Sequence, residues 1–251
     1  MTTHDGRAIV IFLRSLAYQL AFWCWTALMA FAGLPFLLGT RRGMLAFGVF
    51  WARGVFALLR RIVGLDYDVR GRAHLPAGPC IVAMKHQSAW DTLAATLLFP
   101  DCAVVIKREL GWLPFYGWYV VKAGSITVNR GAGARALRRM VTRARRVAAE
   151  GRPIVIFPQG TRTAVGAKKP YLPGVAALYQ QLDLPVVPVA VNSGLFWGRR
   201  AFLRRPGMVL VEILPAIPAG LKRPAFLAGL ERRIESATDR LVAEAEAARA
   251  T

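Results

Sequence analysis

The chain has 251 residues, enough for one large domain or two small ones with a sizeable core. Hydrophobic residues make up 55% and charged residues 19%, which excludes a disordered chain. The 34 Lys and Arg outnumber the 14 Asp and Glu, so the formal charge is +20 and an anionic partner is implied; with a mean hydropathy of +0.37, a membrane surface ranks ahead of nucleic acid.

Ser15 to Thr40 contains no charged residue, a run of 26. About 20 apolar residues suffice to cross a bilayer. A break at Gly33, Leu34, Pro35 and Phe36 interrupts the run, and a second apolar stretch follows from Met44 to Val63, carrying Arg53, Arg60 and Arg61. Arg7 and Arg14 precede the first run and Arg41 and Arg42 follow it, so the positive-inside rule assigns no side to a single span. A helical hairpin that dips into one leaflet, with both ends on one side, satisfies these flanks; one true span is the alternative. Ala30-Phe31-Ala32 imitates a signal-peptidase site, but the stretch is too long and Arg14 too late for a cleaved leader. Trp23, Trp25 and Trp51 suit either interfacial anchoring or helix packing. Residues 1–63 therefore read as a membrane-embedded helical segment, and residues 64–251 as a separate domain.

That domain alternates β-rich and helical patterns. Strands are expected at Asp66–Arg70, Cys80–Met84, Cys102–Ile106, Ser125–Val128, Ile154–Phe157, Val186–Val191 and Met208–Leu214. Helical periodicity appears near Asp91–Leu98, Ala134–Ala149, Val175–Leu182 and Phe226–Ala248. The alternation predicts an α/β fold with a mixed, largely covered β-sheet flanked by helices. The helix Ala134–Ala149 carries Arg135, Arg138, Arg139, Arg143, Arg145 and Arg146 opposite an apolar face. Contact with anionic lipid and a simply solvated face both fit it. Cys24, Cys80 and Cys102 show no C-x-x-C spacing, and read as reduced thiols rather than metal ligands. No nucleic-acid-binding module is present.

The candidate chemistry sits where strands end. His86 follows the strand Cys80–Met84, and Asp91 lies five residues on. On one helix such residues point about 140° apart. They meet only if His86 lies on the loop and Asp91 in the first turns of the next helix. A carboxylate on one imidazole nitrogen fixes the tautomer and leaves the other to take a proton from a hydroxyl. A structural His–Asp pair is the plainer alternative. Phe157-Pro-Gln-Gly-Thr-Arg-Thr163 ends another strand: Gly160 permits a tight turn, Thr161 offers a hydroxyl, and Arg162 a fork suited to phosphate. Lys107 and Arg130 end two further strands, the edge where open α/β sheets bind ligands.

These blocks together resemble the 1-acylglycerol-3-phosphate acyltransferase family of glycerolipid acyltransferases. Its His-x4-Asp motif matches His86 and Asp91. Its Lys-x-Glu-Leu and Pro-Phe-x-Gly blocks match Lys107, Glu109, Leu110, Pro114, Phe115 and Gly117. Its second motif ends in an arginine, here Arg130. Its Phe-Pro-Glu-Gly-Thr-Arg motif matches Phe157 to Arg162, and its Val-Pro-Val strand matches Val187, Pro188 and Val189. Two residues depart: Lys85 stands for asparagine and Gln159 for glutamate. The resemblance implies an acyl-CoA or acyl-ACP donor, a lysolipid acceptor, no metal and no other cofactor. It implies His86 as general base, Asp91 as its support, and Lys107, Arg130, Gln159, Gly160, Thr161 and Arg162 as substrate-binding residues. Lysophosphatidate is the implied acceptor, another lysolipid such as lyso-ornithine lipid the alternative. A non-catalytic basic membrane protein is the alternative of a different class. The implied location is a bacterial-type inner membrane, with anionic lipid as partner and the active site facing the cytoplasm.

Overall fold

Seven strands form one mixed sheet in the computed structural model, which describes residues 3–129, 131 and 133–250. They are β1 (Leu65–Arg70), β2 (Ile81–Met84), β3 (Ala103–Lys107), β4 (Ile126–Val128), β5 (Ile154–Ile156), β6 (Val186–Val191) and β7 (Gly207–Ile213). Their spatial order is β1-β7-β6-β2-β5-β3-β4. From β6 to β4 every pairing is parallel; β7 runs antiparallel to β6, and β1 pairs parallel to β7. Every residue of β2, β5 and β6 is buried, as covered parallel strands require, and this is why these segments read as unbroken apolar runs. The strands begin and end within a residue or so of the expected positions.

Alternate side chains divide the core into two layers. Val82 and Met84 of β2 face α3 (Arg41–Leu58) and α4 (Ala89–Leu98). Ile81 and Ala83 face α6 (Gly133–Ala149), α7 (Pro173–Leu182) and α8 (Arg223–Ala250). The arginine-rich helix α6 therefore occupies the layer across the sheet from α3.

The apolar N-terminal region folds as a helical hairpin. Helix α1 (Thr3–Ala32) is about 45 Å long at 1.5 Å per residue. Only Gly33 interrupts it before the short α2 (Leu34–Leu38), so the expected four-residue break is shorter than its sequence suggests: Pro35 sits in a first helical turn, where it lacks nothing. The Thr40 hydroxyl caps α3 by accepting from Gly43 N at 3.1 Å. A π-helical turn, Leu59–Val63, ends at Gly64 in a left-handed conformation. Trp25 donates to the Trp51 carbonyl at 3.0 Å and Trp51 to Thr26 Oγ1 at 3.3 Å, so both act in helix packing, while Trp23 is 60% exposed.

Helix α1 of the hairpin is tied to the sheet domain near its middle and near its end. Arg204, buried in the loop before β7, donates to Gln19 Oε1 at 2.7 Å and lies over the Tyr18 and Trp197 rings. Its backbone N–H donates to Ser15 Oγ at 2.9 Å. Near the tip, Tyr119 of α5 (Tyr116–Lys122) donates to the Ala30 carbonyl. Helix α5 has no counterpart among the expected elements. Its seven residues are mostly aromatic and β-branched, too short a stretch for apolar periodicity to emerge.

Candidate active site

His86 lies on the loop between β2 and α4, at the centre of the edge where the parallel strands end. The loop is shaped by a capping box. Ser88 is the N-cap of α4 and accepts from Trp90 N at 3.2 Å; Asp91, three residues on, accepts from Ser88 N at 2.8 Å. The same Asp91 Oδ2 also accepts from Gln87 N at 2.7 Å and from His86 Nδ1 at 2.9 Å. The x4 spacing thus follows from helix capping: a residue two before the N-cap is folded back over the N3 carboxylate. Ser193, just beyond β6, donates to the other oxygen, Asp91 Oδ1. Asp91 is wholly buried and receives four hydrogen bonds, so none of its donors is left to water.

Nδ1 donates to the carboxylate, which fixes the tautomer and leaves Nε2 as the basic nitrogen. The imidazole stacks on Phe157, centroids 4.1 Å apart, and its side chain is 12% exposed.

The turn after β5 closes on the same loop. Thr163 donates to the His86 carbonyl from its backbone N at 2.8 Å and from Oγ1 at 3.1 Å. Gly160 turns with φ +65°, and its N–H donates to the Phe157 carbonyl at 2.9 Å. Thr161 and Arg162 are partly buried in the bend that follows. Lys107 lies two strands from β2, half exposed, 3.7 Å from Glu109. Arg130 lies outside the described residues.

Gln159, expected among the substrate-binding residues, is completely buried with both ends of its amide engaged. Oε1 accepts from His86 N at 3.4 Å, and Nε2 donates to Glu235 Oε1 at 3.3 Å. Glu235, on α8, also accepts from Tyr171 at 2.9 Å and pairs with Lys85 at 2.5 Å. Lys85 is 2% exposed. The two residues that depart from the resembled pattern therefore meet on one carboxylate behind the histidine.

A family model described as acyltransferase matches residues 66–192, just over half of the chain. The 1-acyl-sn-glycerol-3-phosphate acyltransferase of Pseudomonas aeruginosa is 34% identical over 194 residues, covering 77% of this chain and 76% of that one. The chain belongs to the acyltransferase family. The human 1-acyl-sn-glycerol-3-phosphate acyltransferase beta is 32% identical over 158 residues, 62% of this chain and 57% of its own length. Among solved structures, the 1-acyl-sn-glycerophosphate acyltransferase of Thermotoga maritima superposes with a TM-score of 0.74 over 91% of this chain and 96% of that one, at 19% identity. This likeness extends the shared fold beyond the matched core to the hairpin.

Within this acyltransferase fold, three further residues complete the His86 surround: Ser88, Ser193 and Glu235. Ser88 carries a visible signal, since Ser-x-x-Asp before an apolar run marks a capping box. Ser193 and Glu235 carry none. Ser193 reaches Asp91 only because β6 is the neighbour of β2, and Glu235 belongs to a helix that reads as ordinary packing. Cys80 and Cys102 are buried, which pushes their thiols up to about 11 and about 12, outside any nucleophilic role near neutrality; Cys24 is exposed on α1. A cavity of about 900 Å³ is bounded by Arg53, Phe56, Arg60, Tyr67, Asp68 and Arg72, between the hairpin base and edge strand β1 rather than over His86.

Proposed function

We propose that the chain transfers a fatty acyl group from a thioester donor, on coenzyme A or acyl carrier protein, to the sn-2 hydroxyl of 1-acyl-glycerol-3-phosphate, yielding phosphatidic acid. The observation that carries this reading is His86 held by buried Asp91 through Nδ1, with Nε2 free to act at the strand edge. The names of the Pseudomonas and human relatives supply the acceptor. The hydroxyl oxygen attacks the thioester carbonyl as its proton passes to Nε2. Asp91 stabilises the imidazolium. The tetrahedral intermediate then collapses, the C–S bond breaks, and the thiolate leaves with the proton from Nε2. Positioned general-base help is worth about 10²–10⁴-fold. Arg162, Lys107 and Arg130 are the cations proposed for the lysolipid phosphate, with the turn at Gly160 and Thr161 beside it.

The non-catalytic alternative rests on Lys85 and Gln159 alone. Those side chains are buried against Glu235 rather than offered to a ligand, and they leave the His86–Asp91 pair intact.

The hairpin is proposed to lie along one leaflet. Gly6–Ala32 and Arg41–Val63 are each long and apolar enough to cross a bilayer. Yet α1 is clamped to the domain at Tyr18 and again at Ala30, about 18 Å apart along the helix axis. Its outer face exposes Ile9, Leu13, Leu16, Leu20, Trp23 and Phe31. The apolar surface continues through the Phe31–Phe115 contact to exposed Trp118 and Trp112. A helix docked lengthwise beside its domain fits insertion into one leaflet, with the active site on that leaflet's cytoplasmic side.

The test is acyl transfer from acyl-CoA or acyl carrier protein to lysophosphatidate in mixed micelles. Wild type is expected to form phosphatidate, and His86→Ala to lose about 10²–10⁴-fold with an unchanged melting curve. A silent wild type with both donors, or a fully active His86→Ala, overturns the reading.

A further inference from the structure

An unpaired cluster of cations around one cavity repels itself unless an anion joins it. Arg108, Arg135, Arg139 and Arg143 line one cavity of about 180 Å³ together with Thr127 and Asn129. Among the described residues, no carboxylate pairs with any of the four. Arg143 is held at the end of β4 by donating to Thr127 Oγ1 at 2.5 Å, and Arg108 lies over the Trp112 ring at 5.2 Å. Two of the guanidinium groups are thus anchored while the pocket keeps its full positive charge. Such a site suits a ligand with several phosphate oxygens clustered together.

Its place in the fold narrows the ligand. Helix α6, which supplies three of the arginines, lies in the layer across the sheet from the hairpin. That position disfavours a headgroup in the bilayer the hairpin enters. The pocket opens at the end of β4, on the same edge as His86. Between them lie the pairings β4–β3, β3–β5 and β5–β2, three strand spacings or about 14 Å. A lysolipid phosphate seated in this pocket leaves its glycerol hydroxyl short of His86, whereas one held toward Lys107 and Arg162, at the ends of the nearer strands, does not. The pantetheine arm that joins a nucleotide's phosphates to a thioester is long enough.

We propose that this arginine pocket binds the phosphate groups at the nucleotide end of an acyl-CoA donor. The pantetheine arm crosses the ends of β3 and β5 and delivers the thioester to His86. The inference rests on the acyl-transfer reading above, and it predicts binding that is measurable without turnover.

Calorimetric titration with CoA, and separately with 3′-dephospho-CoA, tests it on wild type and on Arg135→Ala/Arg139→Ala. Both residues are exposed, so the fold is expected to survive, with an unchanged melting curve. CoA is expected to bind wild type, 3′-dephospho-CoA more weakly, and the double variant about tenfold more weakly or worse. In the transfer assay the variant raises KM for acyl-CoA by a similar factor. It leaves KM for lysophosphatidate and for a short acyl thioester lacking the nucleotide unchanged. CoA binding that persists in an enzyme without transferase activity would sink the functional reading and spare the pocket. A variant that binds CoA normally overturns the pocket proposal, as does a rise in lysophosphatidate KM alone. Loss of vesicle binding with CoA binding intact overturns it too, and returns α6 to a lipid role.

Discussion

Asp91 shows how much one buried carboxylate organises: it caps α4, folds the loop and orients His86 at once. Its partners at positions 86 to 88 are legible because they are local, whereas Ser193 is not, since strand order alone brings it near. The same holds for Glu235, which explains both departures from the family pattern. Buried Lys85 needs a counter-charge, and a neutral Gln159 leaves Glu235 as that single charge. Gln159→Glu places a second carboxylate against Glu235 with one lysine between them. It should lower the denaturation midpoint and the transfer rate together, with a loss of about 1–3 kcal/mol. Glu235→Gln alone strands Lys85 and should cost about 3–5 kcal/mol. The double variant Gln159→Glu/Glu235→Gln restores one carboxylate to the cluster and should recover part of the summed losses, a coupling of about 0.5–3 kcal/mol. Urea denaturation of the four proteins closes the cycle, and strictly additive effects would show that Glu235 and Gln159 are not coupled.

At the scale of elements, the central strands are legible because burial on both faces forces continuous Val, Ile and Ala. Helix α5 and its approach are not, because backbone geometry shapes them more than side-chain pattern. Phe115 turns with φ +60° and ψ −70°, and Tyr116 N donates to the Pro114 carbonyl at 2.7 Å, a γ-turn with no glycine to announce it. Two residues later Gly117 does carry a structural demand. A Cβ there would lie 2.4 Å from the Gly111 carbonyl oxygen and 2.7 Å from that of Leu110, both backbone atoms that cannot swing aside. Gly117→Ala is therefore expected to push α5 off the 3-10 turn Arg108–Trp112, at about 1–3 kcal/mol. Because α5 holds Tyr119 against Ala30 and presents Trp118 and Val121, flotation with anionic vesicles should fall further than the melting temperature does. Equal flotation of variant and wild type would remove α5 from the membrane surface.

The whole molecule carries +20 on only 14 acidic residues, so the few carboxylates placed between cations hold more than their local elements. Asp101 is the clearest case. It accepts from Arg41 at the start of α3, with Nη2 at 3.0 Å, and from Arg152 Nε before β5 at 3.0 Å, joining hairpin to sheet. The hydrogen bond from Arg41 chiefly, with the charge of Arg152 adding and burial opposing, holds its carboxyl below the usual aspartate range. A folded-state value below the unfolded one makes the charged form the stabilising one. The contribution is complete above the unfolded value of about 4 and is lost as pH falls through the lower folded value. Asp101→Asn should therefore melt below wild type at pH 7, and the gap should shrink progressively below pH 4. Raising salt at pH 7 should narrow it as well, since Asp101 is 37% exposed and open to screening. Limited proteolysis locates the effect: in the variant at pH 7, cleavage near Thr40 and Arg41 should speed up while the sheet domain stays resistant. A melting gap of the same size at pH 7 and pH 3 would mean that the shape of the side chain, rather than its charge, fastens the hairpin to the sheet.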